Sequence, residues 1–188
     1  MSAHLNKPVV DGIDLSRPII LIGMMGAGKS AIGRMVAQKL HIPFVDADRE
    51  IEVAADLSVE EIFKNHGEKH FRDGERRVIR RLLKAKPCIL ATGGGAYIQD
   101  KTRDIIQKNG TSVWLNGEFD VLWSRVSRRS NRPLLKTENP QETLKNLMDE
   151  RYPIYGRADI KVLSEDISKE AMRDRIIDAI IAYQGVSE

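Results

Sequence analysis

The chain has 188 residues, of which 41% are hydrophobic and 30% are charged, a composition typical of a globular domain with one core. No segment approaches the roughly 20 apolar residues of a membrane-spanning helix, and residues 1–17 have no signal-peptide core. The net charge of +3 comes from basic residues interleaved with acidic ones, and aromatic residues make up only 5%, which disfavours a nucleic-acid-binding protein. We therefore expect a cytoplasmic protein that handles small anions, with no membrane or nucleic-acid partner.

The sequence divides into a short extension and one domain. Residues 1–17 show no sustained hydrophobic periodicity and include Pro8 and Gly12, so we predict a mobile extension outside the core. In residues 18–184, which we expect to form the single domain, short apolar runs alternate with amphipathic stretches. This pattern predicts an α/β fold with a parallel sheet covered by helices on both faces. The five runs are residues 19–22, 44–45, 88–91, 112–115 and 160–163.

A glycine-rich segment, GMMGAGKS at residues 23–30, follows the first apolar run and opens a helical pattern. A glycine-rich turn between a strand and a helix is typical of a phosphate-binding loop, because its N–H groups and the helix N-terminus bind an anion. Lys29 is expected to contact the β- and γ-phosphates of a nucleoside triphosphate, and Ser30 to ligate Mg²⁺. The residues expected to bind the nucleotide here are Gly26, Ala27, Gly28, Lys29, Ser30 and Ala31.

Two aspartates, Asp46 and Asp48, follow the second apolar run. Ligands of parallel sheets bind outside the carboxyl ends of the strands, and we expect this strand to border the phosphate-binding loop. One carboxylate could then serve the metal and the other an acceptor hydroxyl, although either could instead cap the next helix. The run at 88–91 ends without the aspartate that many such proteins use for metal, so coordination is expected to rest on Ser30 and Asp46.

Glycines and arginines complete the candidate site. Three consecutive glycines, Gly93 to Gly95, follow the third run, which favours either a close approach of the backbone to a ligand or a flexible loop. Arginines can bind a carboxylate through two parallel hydrogen bonds, but composition alone does not separate Arg72, Arg132 and Arg151 from surface arginines. Residues 127–139 are polar, basic and proline-containing, which is typical of a lid over a site.

Other patterns are read as structural. Ser58 and Glu61 form a capping-box pattern that opens a helix to about residue 65, and a charged helix is predicted over residues 68–84. Ser168 is expected to precede the last helix. Cys88, the only cysteine, is interpreted as a core residue. His66 and His70 have a metal-compatible spacing, but we interpret them as surface residues because no glutamate of the zinc-protease type lies between them.

Six motifs together, in this order and spacing over residues 18–183, resemble the shikimate kinase family. They are GMMGAGKS at 23–30, FVDAD at 44–48, FRDGE at 71–75, TGGG at 92–95, RPLL at 132–135 and RYPIY at 151–155. The resemblance implies a P-loop NTPase with a nucleoside-monophosphate-kinase-like three-layer α/β/α sandwich. Its sheet would have five parallel strands, with a substrate-binding region after the second strand and a lid.

The resemblance also implies an activity and residue roles. It implies transfer of the γ-phosphate of ATP to the 3-hydroxyl of shikimate, with Mg²⁺, in the pathway to chorismate and the aromatic amino acids, by an enzyme expected to be a monomer. Asp48 resembles the aspartate that holds the shikimate hydroxyls and is the candidate proton acceptor. Arg72 and Arg151 are similar to the pair that binds the substrate carboxylate beside Gly93, Gly94 and Gly95. Arg132 is similar to the lid arginine over the phosphates, and Arg129, with Arg128 as the alternative, is the arginine expected beside adenine.

Two other classes of function compete with this interpretation. The nearest alternative is another small-molecule kinase of the same fold, such as a gluconate kinase or a nucleoside monophosphate kinase. A GTPase switch would need an Asn-Lys-x-Asp motif after a strand, and the sequence has none. A carboxylate acceptor calls for Arg72 and Arg151, which are present, so we favour the kinase of a small carboxylic acid.

Overall fold

The computed structural model describes residues 9–10, 12–128 and 133–185, which are built around a five-stranded parallel sheet. The five strands of this sheet are β3 (Ile19–Ile22), β4 (Phe44–Asp46), β5 (Ile89–Ala91), β6 (Thr111–Gly117) and β7 (Ile160–Ser164). Two short strands, β1 (Val9–Val10) and β2 (Ile13–Asp14), form a separate pair before it. The helices are α1 (Lys29–Lys39), α2 (Ala47–Ala55), α3 (Val59–Leu83), α4 (Asp100–Asn109), α5 (Phe119–Val126), α6 (Pro140–Tyr155) and α7 (Lys169–Gly185), and residues Pro133–Leu135 form a 3₁₀ turn. The predicted α/β fold with five parallel strands is confirmed.

The strand order of the sheet is β4-β5-β3-β6-β7. The strand of Asp46 is therefore not the sheet neighbour of β3, because β5 pairs with β3 on one side and with β4 on the other. The end of β4 nevertheless borders the phosphate-binding loop, as expected, since Asp46 accepts a hydrogen bond from Ser30. The chain moves from β3 out to β4 and then back to β5. Right-handed crossovers in opposite directions put α1 on one face of the sheet and α3 on the other. Strand β5 thus lies between the strand that leads into the phosphate-binding loop and the strand that ends in Asp46.

Part of the predicted extension belongs to the core. Ile13 and Leu15 are 0% and 1% exposed, whereas we predicted residues 1–17 to lie outside the core. The backbone of Asp14 donates a hydrogen bond to the side chain of Gln184 and accepts one from it, at 2.8 and 3.0 Å, which attaches this segment to α7. The sequence gives no periodicity here because β1 and β2 have only two residues each. Residues 1–8 and 11 lie outside the described residues.

Helix boundaries agree closely with the capping signals. The Ser58 hydroxyl accepts a hydrogen bond from the backbone of Glu61, and the Glu61 carboxylate accepts one from the backbone of Ser58, which confirms the capping box. Gly67, with φ 79°, interrupts α3 between the two predicted helical segments. The hydroxyl of Ser168 accepts a hydrogen bond from the backbone of Ala171 at 3.1 Å at the start of α7.

The residues interpreted as structural behave as expected. Cys88 is buried, and burial raises the pKa of its thiol to about 11, so it packs as a small core residue. His66 and His70 are exposed, and the described part of the chain contains no cluster of three or more histidine, cysteine or carboxylate side chains able to hold a metal. None of the helices in the described ranges combines the length and the apolar character needed to span a membrane.

Candidate active site

A cavity of about 450 Å³ opens at the carboxyl ends of the sheet strands. Its walls come from the phosphate-binding loop and α1, from the ends of β4 and β5, and from α5 and the segment after β7. Residues from motifs far apart in the sequence therefore meet in one place. The predicted site residues among the lining are Gly26, Ala27, Gly28, Lys29, Ser30, Ala31, Asp46, Asp48, Gly93 and Gly94.

The phosphate-binding loop has the backbone shape that its glycines permit. Gly26 and Gly28 have φ values of 81° and 94°, in the left-handed region that side chains disfavour. A Cβ at Gly26 would also lie 2.8 Å from the side chain of Val126. The Lys29 ammonium donates hydrogen bonds to the carbonyls of Gly23 and Met24 at 2.8 and 2.9 Å. The loop thus holds a positive charge against its own backbone at the start of α1.

The side chains of Ser30 and Asp46 are in direct contact. The Ser30 hydroxyl donates a hydrogen bond to Asp46 Oδ2 at 2.8 Å, and Asp46 Oδ1 accepts one from the backbone of Asp48 at 3.2 Å. One oxygen of Asp46 thus caps α2, and the other lies beside Ser30. The two roles considered for Asp46, a metal-site carboxylate and a helix cap, are therefore compatible. A hydroxyl beside a carboxylate is an oxygen donor set that suits Mg²⁺.

Each of the three consecutive glycines lies against at least one charged group. A Cβ at Gly93 would lie 2.7 Å from Asp48 Oδ1, a Cβ at Gly94 would lie 3.4 Å from Arg151 Nη1, and a Cβ at Gly95 would clash with the Arg72 guanidinium. The close approach of side chains explains why Gly93 and Gly95 are glycines, whereas a Cβ at Gly94 would make only ordinary contacts. The turn therefore lies beside two carboxylates, Asp48 and Glu75, and two guanidiniums, although Arg72, Gly95 and Arg151 adjoin the cavity rather than line it.

The Asp48 carboxyl has a perturbed acidity. Burial raises its pKa above the ordinary value, and the negative charge of Asp46 raises it further, while the positive charges of Lys29 and Arg72 oppose the shift. A carboxylate with a raised pKa is a better proton acceptor than an ordinary aspartate. Its place beside Lys29 suits a group that orients a hydroxyl next to a phosphate.

Glu75 is a site residue that the sequence analysis did not identify. It is 1% exposed on α3, and its Oε2 accepts a hydrogen bond from Arg72 Nη1 at 2.8 Å. Burial raises the pKa of Glu75, whereas the charge of Arg72 lowers it. The i, i+3 spacing of the two residues was visible in the motif FRDGE, but the burial that makes the pair informative was not. Glu75 holds the guanidinium of Arg72 in the position that faces Gly95.

Arg151 has an unpaired hydrogen-bond donor beside the turn of Gly93, Gly94 and Gly95, called the glycine turn below. The side chain on α6 is 9% exposed, and its Nε has no hydrogen-bond partner among the described residues. Buried polar groups in proteins are almost always paired, so this donor is available to an acceptor group of a bound ligand. A carboxylate is the partner that a guanidinium binds best.

Arg125, on α5, is the second residue that sequence reasoning missed. It lines the cavity, and its guanidinium donates to the Gly26 carbonyl at 3.3 Å, to the Ser164 hydroxyl at 3.1 Å and to the Glu165 carbonyl at 2.7 Å. Arg125 thereby joins the phosphate-binding loop to the segment at the end of β7. Ser164, in that segment, is 39 residues from Arg125 along the chain. No local signal distinguishes it from its basic neighbours.

The lid is only partly described. Arg129 and Arg132 lie outside the described residues, and Arg128 is exposed and does not line the cavity. On the far side of the lid, Leu135 is buried and Leu134 is 52% exposed. Residues 164–167, at the end of β7 and just after it, line the cavity.

Comparisons with known proteins agree with this arrangement. The family model described as "SKI: Shikimate kinase" matches residues 25–181. A curated shikimate kinase of Rhizobium leguminosarum bv. trifolii is 55% identical over 169 residues, covering 90% of this chain and 86% of the relative. One of Ruegeria pomeroyi is 46% identical over 188 residues, covering 98% and 96%.

Solved structures give the same result. The structure of "Shikimate kinase from Acinetobacter baumannii in complex with shikimate" is similar with a TM-score of 0.84 at 35% identity, covering 88% of this chain and 93% of that one. A gluconokinase from Sinorhizobium meliloti, at 15% identity and a TM-score of 0.59, shares the fold alone. The motifs, the site geometry and these similarities lead to one conclusion: the chain belongs to the shikimate kinase family.

Proposed function

We propose that this protein transfers the γ-phosphate of ATP to the 3-hydroxyl of shikimate, giving shikimate 3-phosphate and ADP, in the pathway to chorismate and the aromatic amino acids. The observation that carries the proposal is the arrangement around the glycine turn, where Asp48, Arg151 and Arg72 lie against Gly93, Gly94 and Gly95 in turn. Shikimate carries one carboxylate and three hydroxyls. Two guanidiniums and one carboxylate beside a phosphate-binding loop are complementary to such an acid.

The acceptor is held through its two kinds of polar group. Arg72, fixed by Glu75, and Arg151, with its unpartnered Nε, bind the carboxylate. Asp48 accepts a hydrogen bond from the hydroxyl that attacks, and its raised pKa favours transfer of the hydroxyl proton to it. Gluconate also carries a carboxylate, but the relatives at 46–55% identity are named shikimate kinases, which favours shikimate as the acceptor.

The nucleotide occupies the cavity above the phosphate-binding loop. The loop N–H groups and the start of α1 bind the phosphates, and Lys29 stabilises the charge of the transferred group. Arg132 is proposed to close over the phosphates from the lid, and Arg129 remains the lid arginine predicted beside adenine. We assign Arg125, rather than the exposed Arg128, to the wall of the nucleotide cavity.

Mg²⁺ fits the oxygen pair formed by Ser30 and Asp46, which lie 2.8 Å apart in the cavity wall. The ion would neutralise charge on the β- and γ-phosphates. Because the described residues contain no larger cluster of ligating side chains, phosphate oxygens and water would complete its coordination, as is usual for Mg²⁺. The cytoplasmic location and the monomeric state expected from the sequence stay predictions.

The proposal is tested by a coupled ADP-release assay that offers shikimate, gluconate and nucleoside monophosphates in parallel. We expect rapid Mg²⁺-dependent turnover with shikimate alone, and phosphorus NMR of the product should place the phosphate on the 3-hydroxyl. An enzyme that turned over only gluconate or a nucleoside monophosphate would refute the proposal.

A further inference from the structure

Tyr155 lies between the glycine turn and the phosphate-binding loop. It is the last residue of α6, it is 0% exposed, and its hydroxyl donates a hydrogen bond to the carbonyl of Gly94. The sulfur of Met24, in the phosphate-binding loop, is 3.9 Å from the same hydroxyl. A Cβ at Gly94 would lie 3.6 Å from the Gly23 carbonyl and 3.4 Å from Arg151 Nη1. The buried hydroxyl of Tyr155 thus contacts both the glycine turn and the phosphate-binding loop.

The chemistry of this hydroxyl is constant over the working pH range. Burial raises the pKa of Tyr155 to about 12, although the neighbouring charge of Arg151 lowers it. The group is therefore a protonated donor at neutral pH. Arg151 precedes Tyr155 by four residues, so both side chains lie on the same face of α6.

Gly94 O is the acceptor that this hydroxyl satisfies. The Gly23 carbonyl lies near the same Cβ position of Gly94 as the Tyr155 hydroxyl, at 3.6 and 3.7 Å from it, and accepts a hydrogen bond from Lys29 at 2.8 Å. The hydroxyl of α6 therefore fixes the glycine turn close to a carbonyl of the phosphate-binding loop. Glycine has more conformational freedom than any other residue, so three in a row need such external contacts to keep a fixed shape.

We propose that Tyr155 is a positioning residue whose hydroxyl fixes the glycine turn beside Arg151 and against the phosphate-binding loop, and so sets the affinity for the acceptor. It acts through Gly94 and Arg151 and does not itself contact a reacting atom. The inference rests on the proposed function, because the acceptor is taken to bind at the glycine turn. Removing the hydroxyl loosens the turn and weakens acceptor binding, whereas the positions of Lys29 and Ser30 are unchanged.

Tyr152 provides a matched control. It lies on the same helix, and its hydroxyl also donates to a glycine carbonyl, that of Gly117 at the end of β6. Its ring contacts Trp114 edge-on at 5.1 Å. Neither Tyr152 nor Gly117 lines the cavity. The Tyr152→Phe change therefore removes a comparable hydrogen bond from the same helix and leaves the acceptor groups in place.

The test compares Tyr155→Phe and Tyr152→Phe with the wild-type enzyme. We measure kcat, KM for shikimate and KM for ATP, the Kd of shikimate with and without ADP, and Tm. We expect Tyr155→Phe to raise the KM and Kd for shikimate by about five- to tenfold, the effect of one hydrogen bond. The kcat at saturating shikimate should stay within about twofold.

Two results would overturn the inference. One is an unchanged KM for shikimate in Tyr155→Phe, and the other is an equal rise in both variants, which would indicate a general loss of stability. If Tyr155→Phe unfolds near the assay temperature, the same comparison is made below its Tm. A wild-type enzyme inactive on shikimate would refute the proposed function instead, so the two failures are distinguishable.

Discussion

Glu75 Oε2 accepts a hydrogen bond from Arg72 Nη1 at 2.8 Å, and the carboxylate is buried while the guanidinium faces the glycine turn. A buried carboxyl group paired in this way fixes the position of its partner. Arg72 also contacts Glu68 at 3.4 Å, but Glu68 is exposed, so that contact is weak. Glu75 is therefore the group that holds Arg72 beside the glycine turn, where we propose that it binds the acceptor carboxylate.

Replacing Glu75 by Gln is expected to weaken acceptor binding. The amide keeps the shape of the side chain but loses the charge that holds Arg72, so KM for shikimate should rise by about tenfold while KM for ATP changes by less than about twofold. Steady-state kinetics measure both constants. Asp73→Asn is the control, since Asp73 pairs with Arg76 at the same spacing but at the surface. Similar effects of both changes would contradict the assignment.

Removing the guanidinium itself should have a larger effect on the same constant. Arg72→Ala is expected to raise KM for shikimate by about a hundredfold, because a charged hydrogen-bonding partner of the carboxylate is lost, and to leave ATP affinity nearly intact. Nucleotide affinity is measured by titration calorimetry. Arg80→Ala, on the exposed side of α3, should behave as wild type. A large loss of nucleotide affinity in Arg72→Ala would show that the residue is misplaced in this account.

Lys29 is expected to be essential with any acceptor. Its ammonium is held by the Gly23 and Met24 carbonyls, and under the proposed function it stabilises the charge that develops on the transferred phosphoryl group. Lys29→Ala should lower kcat by about a hundredfold or more, while the control Lys39→Ala, at the exposed end of α1, should not. Retention of near-normal kcat would contradict the assignment of the loop.

The raised pKa of Asp48 makes a prediction about stability. When the pKa of a carboxyl group is higher in the folded than in the unfolded state, the free energy of unfolding falls as the pH rises from the unfolded-state pKa to the folded-state pKa. Asp48→Asn removes this titration. The Tm of the variant relative to wild type should therefore increase from about pH 4 upward, even though activity is lost. Thermal unfolding across pH measures the difference, and a difference that shrank as the pH rose would be inconsistent with the raised pKa.

The burial of the segment before β3 predicts a stability effect far from the site. Leu15 is 1% exposed, so Leu15→Ala should lower the free energy of unfolding by about 2–4 kcal/mol. Val53→Ala is the control, since Val53 is 69% exposed and its change should cost less than about 0.5 kcal/mol. Denaturant unfolding measures both. An equally small effect at Leu15 would mean that the segment does not contribute to the core.

Local patterns predicted much of this molecule because they depend on neighbours in sequence. The phosphate-binding loop, the capping box at Ser58 and the five strands each combine residues a few positions apart. The contact between Ser30 and Asp46 was expected from their chemistry, although the strand order that produces it was not. The chain changes its direction of travel across the sheet after β4, and no local sequence pattern shows which strands become neighbours as a result.

Tertiary packing determines the features that the sequence did not reveal. Arg125 reaches the phosphate-binding loop across 99 residues, and the burial of Glu75 depends on how α3 packs. Ile13 and Leu15 are buried, and the two-residue strand β2, which holds Ile13 and ends just before Leu15, is too short to show a period. In each case the decisive partner is remote along the chain.

A crystal structure with ADP and shikimate bound is the most direct test of this account. It should show the shikimate carboxylate between the Arg72 and Arg151 guanidiniums and a ring hydroxyl on Asp48, facing the terminal phosphate. Shikimate bound away from the glycine turn, with both guanidiniums unliganded, would contradict it.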